Sequence, residues 1–553
     1  MPRPLIHESF TPFTREETDA ETIDVAVVGG GMSGAYSAWR LKQANPALKV
    51  ALFEYGDRIG GRLYSAQLPG MPHVNAELGG MRFIPKTQTF VAKLVGELGL
   101  ETRPFPMGSD QDPGGSNNLM YLRRRLMRAS QLTDPARVPY LMNPTEQGMT
   151  PDQLQRYVMD SLVPHADQLT QDEWNEVEVL NGEKLYKLGF WNLLYEVLSS
   201  EAYQFMDDAG GYYTNVANSN AVLSLPVFEF GPNVKYLTLV DGYEALPRAL
   251  ASAFQAAGGT VRLNRRLDSF GRNEQGVYSL LFAETEPGVL GKARDRRERG
   301  ATCTHKVLAR KVVLAMPRRS LELVNWEPFA RDPEVRAMVE AVISQAAFKI
   351  FLAYPYPWWR VLNLQAGRSI TDMPLRQTFY FGTEGEQPGG DPKNNNSLMM
   401  VSYNDLGSVP FWKALEEGDP FPVGPNPFVP RGEGNPATGF EITRQMVEAA
   451  QAQVREVHGL DFVPRPYAAA YHDWSDDPFG AGWHAWKAGY RFWEIMPKIR
   501  NPVPGEDVFV CGDAYSMNQG WVEGALQTAE RMLEDHFGMD PPSWLPSDYN
   551  LGY

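Results

Sequence analysis

Residues Ile23 to Val28 (IDVAVV) form an apolar, β-branched run that predicts a buried strand. A glycine-rich stretch, Gly29 to Gly34, interrupts it, and from Ala35 to Leu41 the spacing becomes that of a helix. Lys49 to Phe53 is a second strand candidate ending at Glu54, so one βαβ unit with a parallel sheet fits between Ile23 and Glu54. From about Pro151 to Phe205 the pattern turns helical, with Leu154, Val158 and Leu162 four apart and Trp191, Leu194 and Tyr195 following. Strand-like runs return at Gly259–Leu263, Lys311–Ala315, Phe348–Tyr354, Gln377–Phe381 and Ser397–Tyr403. The last two flank TEGEQPGGDPKNNN, which reads as a mobile surface loop between antiparallel strands. A second Pro/Gly-rich loop spans Gly418 to Gly439, and Asp507–Cys511 is a further strand followed by glycines and a helix reaching about Phe537. The chain thus starts and finishes with strand-glycine-helix units, and no internal repeat is evident.

Composition narrows the class. At about 150 residues per domain, 553 residues make three to four domain-sized units or two large ones. With 43% hydrophobic and 12% aromatic residues there is material for a large core. A net charge of -15 argues against a surface that tracks nucleic-acid phosphates, which needs clustered cations. Two cysteines, Cys303 and Cys511, build neither a disulfide framework nor a Cys-rich metal site. The stretch carrying Glu8, Arg15, Glu16, Glu17 and Asp19 has no apolar core of an export signal, and no membrane span is visible, so a cytoplasmic, reducing location is the expectation.

Gly29, Gly31 and Gly34 satisfy G-x-G-x-x-G, a pattern that 50 glycines could match by chance. Its context is informative: a strand precedes, a helix follows, and Glu54 lies 20 residues after Gly34, where a carboxylate can accept from a ribose hydroxyl while the helix N-terminus faces a pyrophosphate. A tight structural βα turn is the alternative. The negative charge of Glu54 would repel a 2′-phosphate, which disfavours NADP. Reading Gly31-Met32-Ser33-Gly34-Ala35 as a nucleophile elbow fails at Ala35, where glycine is needed. Arg58-Ile59-Gly60-Gly61-Arg62 and Gly79-Gly80-Met81-Arg82 add cations and glycine pairs, consistent with backbone passing close to a large ligand and guanidinium groups on its phosphates or on an anionic substrate, or with surface arginines beside ordinary turns.

These residues resemble the flavin-dependent amine oxidases, and within them the L-amino acid oxidases. Glu54, Arg58, Gly60, Gly61 and Arg62 look like the family's flavin signature after the second strand, and Gly512-Asp513 with Gly520-Trp521-Val522-Glu523-Gly524-Ala525 looks like its closing motif. The resemblance implies an α/β fold with a discontinuous FAD-binding Rossmann-like domain (20–85, 231–325 and 495–540), a mixed-sheet substrate domain (86–125 and 326–494) and a helical insertion (126–230). It implies noncovalent FAD held by Gly29, Gly31, Met32, Ser33, Gly34, Glu54, Gly61, Arg62, Gly80, Met81, Val261, Gly512, Asp513, Gly520 and Val522, with Val261 on the adenine and Asp513, in place of the more usual Glu, on the ribityl-pyrophosphate portion.

Carried further, the resemblance gives Arg82 the substrate carboxylate, Tyr380 a second bond to it, Trp521 a wall of the pocket, and Lys349 a water near flavin N5. For Lys349 the alternative is an edge-strand or snorkelling lysine. His472 and His484 are read as satisfied structural histidines rather than bases. The implied reaction is hydride transfer from an L-amino acid to the flavin, giving a 2-oxo acid and ammonia, with oxygen reduced to hydrogen peroxide. An amino acid monooxygenase, a primary amine oxidase and a nonenzymatic binding protein are the alternatives. The partners expected are the amino acid and oxygen, with no nucleic acid or membrane, in a homodimer or larger homo-oligomer.

Overall fold

The computed structural model describes residues 22–107, 117–213, 217–226, 234–285, 305–436 and 441–553, so Cys303 lies outside the described residues. The first apolar run becomes the strand Thr22–Val28, its last four residues fully buried. It lies between Val50–Phe53 and His305–Leu314, both parallel to it, in the manner of strands covered on both faces. Thr260–Arg262 extends the sheet past Val50–Phe53, and Val508–Val510 joins the end of His305–Leu314, again in parallel. Tyr278–Glu284 and Arg265–Arg272 add an antiparallel flank that the charged, weakly alternating sequence did not predict. Strands remote in sequence therefore share one sheet, and helix Met32–Ala44 packs on it between helices Ala245–Ala256 and Val522–Phe537.

The second sheet runs in the order Ala468–Asp473, Ala347–Tyr354, Ser397–Asp405, Gln377–Thr383, Arg368–Thr371, Leu119–Leu122, Arg125–Arg128. It is mixed, with the Arg368–Thr371 and Leu119–Leu122 pair parallel and the others antiparallel. One face packs against helix Arg444–His458 and the other against the loops between Ala66 and Ile84. Helices Pro151–Leu162, Phe190–Val197 and Ser200–Gly210 form the insertion. The first begins in a capping box, with Thr150 and Gln153 exchanging side-chain to backbone bonds and Pro151 in the first turn, where a missing N–H costs nothing. The architecture is the expected α/β core with a mixed-sheet partner and a helical insertion. Among the described residues, no helix is long and apolar enough to cross a membrane.

One expectation is corrected. The polar stretch after Gln377–Thr383 does join antiparallel strands, but it is not a loose surface loop. Glu384 is buried and accepts from the His73 backbone at 3.0 Å, while Asn394 and Asn396 both donate to the Gly70 carbonyl, at 2.9 and 3.2 Å. These three side chains satisfy backbone groups inside the molecule and pin the stretch at both ends, while Glu386, Asp391, Lys393 and Asn395 between them face water.

The first and last helices are joined by a buried charge pair. Arg40 donates to both carboxylate oxygens of Glu530, at 3.0 and 2.7 Å, and the Tyr36 hydroxyl donates to the same carboxylate at 2.5 Å. Removing one partner leaves an uncompensated buried charge, so Arg40→Met should cost about 3–5 kcal/mol of stability, whereas Arg40→Met with Glu530→Met should recover most of it. Urea unfolding of the three proteins measures this. A double variant no more stable than the single one would show that the pair does more than neutralise itself.

Candidate active site

A cavity of about 740 Å³ is lined by residues of both sheets and of the insertion. Its floor begins at the glycine turn. A Cβ on Gly34 would stand 1.8 Å from the Gly29 carbonyl oxygen, so only glycine lets the helix pack this tightly on the turn. Gly61, with φ +56°, faces Gly31 so closely that a Cβ there would meet the Gly31 Cα at 2.9 Å. Helix Met32–Ala44 starts at Gly31 with no side-chain cap and no acidic residue in its first turn, which leaves its positive end for an anion. Glu54, fully buried, accepts from the Gly30 and Gly56 backbone N–H groups at 2.6 and 2.7 Å. Burial raises its pKa, and those two N–H groups work in the other direction.

The closing motif meets this floor. Arg62 pairs with Asp513 and also donates to the Gly482 carbonyl at 3.0 Å, and Asp513 accepts from the Gly520 N–H at 3.2 Å. Helix Val522–Phe537 then starts at the cavity wall, held by Glu523, which accepts from the Phe90 and Val91 backbone at 2.9 Å each. Gly512, Gly520, Trp521 and Val522 all face the cavity.

At its other end, strand Ala347–Tyr354 carries Lys349 in the interior of the second sheet, with strands on both sides, so the edge-strand reading does not hold. The Lys349 ammonium donates to the carbonyls of Gly79 at 2.5 Å and Glu77 at 3.0 Å, and lies 4.3 Å from the Tyr403 ring. Burial, helped by Arg82 and opposed by Glu77, brings its pKa down to about 7. The buried Glu77 carboxyl is pushed up to about 7, mainly by the same desolvation. Arg82 lies 5.1–5.8 Å from the ring centres of Tyr236, Phe105 and Phe379. Tyr212, Tyr403 and Trp483 pack edge to face around the same space, with centroids 5.0–6.2 Å apart. Asp152, Gln155, Ser219 and Ser224 of the insertion supply a polar wall.

The cavity thus brings together Gly29, Gly31, Met32, Ser33, Glu54, Gly61, Arg62, Gly80, Met81, Arg82, Lys349, Gly512, Asp513, Gly520, Trp521 and Val522. Gly34 lies beneath the turn rather than on the surface of the cavity. Tyr380 is a correction: successive strand residues face opposite ways, and Phe379 takes the Arg82 side, while the Tyr380 hydroxyl bonds Ser369 at 2.7 Å and His458 at 2.9 Å on the far face. Val261 is another. It packs in an edge strand beside Val50–Phe53, and after the left-handed turn at Asn264 it is Arg265, Arg266 and Leu267 that border the cavity near Glu54. Arg58 bonds the Leu63 and Gly61 carbonyls and Glu244, and so braces its own loop rather than a ligand. Sequence reasoning missed Tyr212 and Tyr403; the signal available for Tyr403 was its strand, which places it directly across from Lys349.

The glycine cradle, the free helix end and the buried Glu54 fit a flavin dinucleotide, and similarity to known proteins points the same way. Aplysianin-A of Aplysia kurodai is 30% identical over 96% of this chain and 93% of its own, and an L-amino-acid oxidase of Demansia vestigiata is 23% identical over 92% and 86%. A solved putrescine oxidase bound to putrescine shares the fold with a TM-score of 0.64, at 17% identity over 94% of this chain and all of its own. The family model described as flavin containing amine oxidoreductase matches residues 32–532. The chain belongs to that family, and a flavin is its cofactor.

Proposed function

We propose that this protein oxidises L-amino acids with noncovalent FAD, releasing a 2-oxo acid, ammonia and hydrogen peroxide. The observation that carries the reading is Arg82: a buried guanidinium in the same cavity as the glycine turn, among three aromatic rings and beside Lys349. A planar cation in a water-poor cleft suits a carboxylate, which an amine substrate lacks. The segments 20–85, 231–325 and 495–540 are assigned to FAD, a division supported by the strands they contribute to one sheet.

The bound flavin supplies a two-electron acceptor for the Cα hydrogen and a route from there to oxygen. The chain's part is placement. Arg82 takes the carboxylate, so the Cα is presented at a fixed depth, and Tyr212, Tyr403, Trp483 and Trp521 exclude water and confine the side chain. Lys349, poised near neutrality, holds a water or a proton close to the reacting centre. Glu54 takes ribose hydroxyls, and Asp513, oriented by Arg62, takes the ribityl-pyrophosphate portion.

Truncating one partner of a buried charge pair costs about 2–5 kcal/mol, so Arg82→Met should lower kcat/KM for an amino acid by roughly thirtyfold to several thousandfold while barely changing turnover of the matching amine. Equal losses for both would show that Arg82 serves the fold or the flavin instead. Steady-state assays for peroxide and 2-oxo acid read this out, and formation of an amide with carbon dioxide would mark a monooxygenase.

Lys349→Met should slow flavin reoxidation in stopped-flow mixing more than it changes substrate affinity. Wild-type reoxidation should change across pH 7, where the ammonium is charged below and neutral above, and the variant should lose that step. Stability carries the same signature. An ordinary lysine titrates at about 10.4, so the unfolded chain binds the extra proton between pH 7 and there, and stability rises with pH through that window. The variant should lack this rise. Identical pH profiles in the two proteins would remove Lys349 from the mechanism.

Denaturing the yellow holoprotein should release intact FAD into the supernatant. Cys511, the cysteine among the described residues, is buried and bonded weakly to Ser37, and its thiol is pushed up to about 12, so among the described residues no thiolate is on hand to attach the ring. Colour that stays with the precipitated chain would contradict this.

A further inference from the structure

His484 does not behave as the satisfied structural histidine expected from its sequence. It is 2% exposed, lines the cavity, and neither ring nitrogen has a hydrogen-bond partner. Two such groups left desolvated and unmet carry the full desolvation penalty of each, which a ligand offering a donor and an acceptor would relieve. Strand Trp483–Trp486 sets its direction. Trp483 turns to Tyr212 and Tyr403, so the next residue points the opposite way. The charges that act on the imidazole are Arg62, Asp513 and Arg318, whereas Lys349 answers to Arg82 and Glu77. His484 therefore belongs to the dinucleotide side of the cavity and not to the carboxylate side.

Burial and Arg62 hold the ring pKa at about 3, so at working pH the imidazole is neutral and offers one donor and one acceptor. A carboxylate or phosphate could meet only the donor. A ligand portion with both hydroxyl or N–H donors and oxygen acceptors meets both, and the ribityl-flavin portion of FAD is such a group. We propose that His484 is a cofactor-holding residue that hydrogen-bonds this portion of FAD, an inference that rests on the FAD reading above.

The test reconstitutes apoprotein with FAD and follows quenching of its fluorescence for wild type, His484→Phe and His484→Gln, with the reduction potential of each holoprotein measured alongside. His484→Phe keeps a ring of similar size without polar atoms and should weaken FAD binding by about tenfold or more, the worth of one buried hydrogen bond. His484→Gln keeps a donor and an acceptor and should stay within about threefold of wild type. The potential should shift in the Phe variant and return toward wild type in the Gln variant. Wild-type affinity and potential in His484→Phe, or equal losses in both variants, would overturn the assignment and leave only a packing role. A wild-type protein that binds no FAD at all would instead overturn the proposed function.

Discussion

Arg62 is the joint on which the cavity depends. One guanidinium pairs with Asp513, 451 residues away, and donates to the carbonyl of Gly482, so the loop after the first βαβ unit, the closing segment and the bend that leads into strand Trp483–Trp486 meet at a single side chain. A planar fork can grip the Asp513 carboxylate with two nitrogens and still reach the Gly482 carbonyl, whereas a lysine would bring only a point charge to the carboxylate. The pair lies at the cavity floor, next to the close approach of Gly61 to Gly31, and its carboxylate also holds the Gly520 N–H. The buried Arg40–Glu530 pair repeats the logic one layer out, between the first and last helices.

Around that joint the interior is unusually rich in charge for its depth. Lys349, Glu77, Arg82, Glu54 and Asp513 are all buried or nearly so. Desolvation drives Lys349 and Glu77 toward neutrality from opposite sides, until both titrate near pH 7. Such a pair can change protonation state at little cost in the range where an enzyme works. The aromatic rings about Arg82 keep its charge away from bulk water, so a carboxylate entering there gains more than it would at the surface.

What the sequence revealed tracks how local the governing physics is. The Gly29–Gly34 turn, Glu54 and the Asp513 motif were legible because short spacings encode them: close backbone contact demands glycine, and the carboxylate that holds the Gly30 and Gly56 N–H groups stands at the end of the next strand. Tyr380 was misplaced because bulges between Gln377 and Phe379 and between Tyr380 and Gly382 decide which side chain faces the cavity, and bulges leave no mark in a run of aromatic residues. Val261 was one strand early, since the turn at Asn264 carries the chain back toward Glu54 through a segment whose charged residues hide its strand. Tyr212, in the insertion, reaches Tyr403 and Trp483 only through the tertiary packing of three segments.

The most direct measurement is anaerobic titration of the holoprotein with L-amino acids and, separately, with primary amines lacking the carboxylate, following the visible flavin absorbance. Bleaching by amino acids, with one equivalent of 2-oxo acid formed per flavin reduced and little response to amines, is the predicted result. Reduction by amines alone, or by neither class, would contradict it.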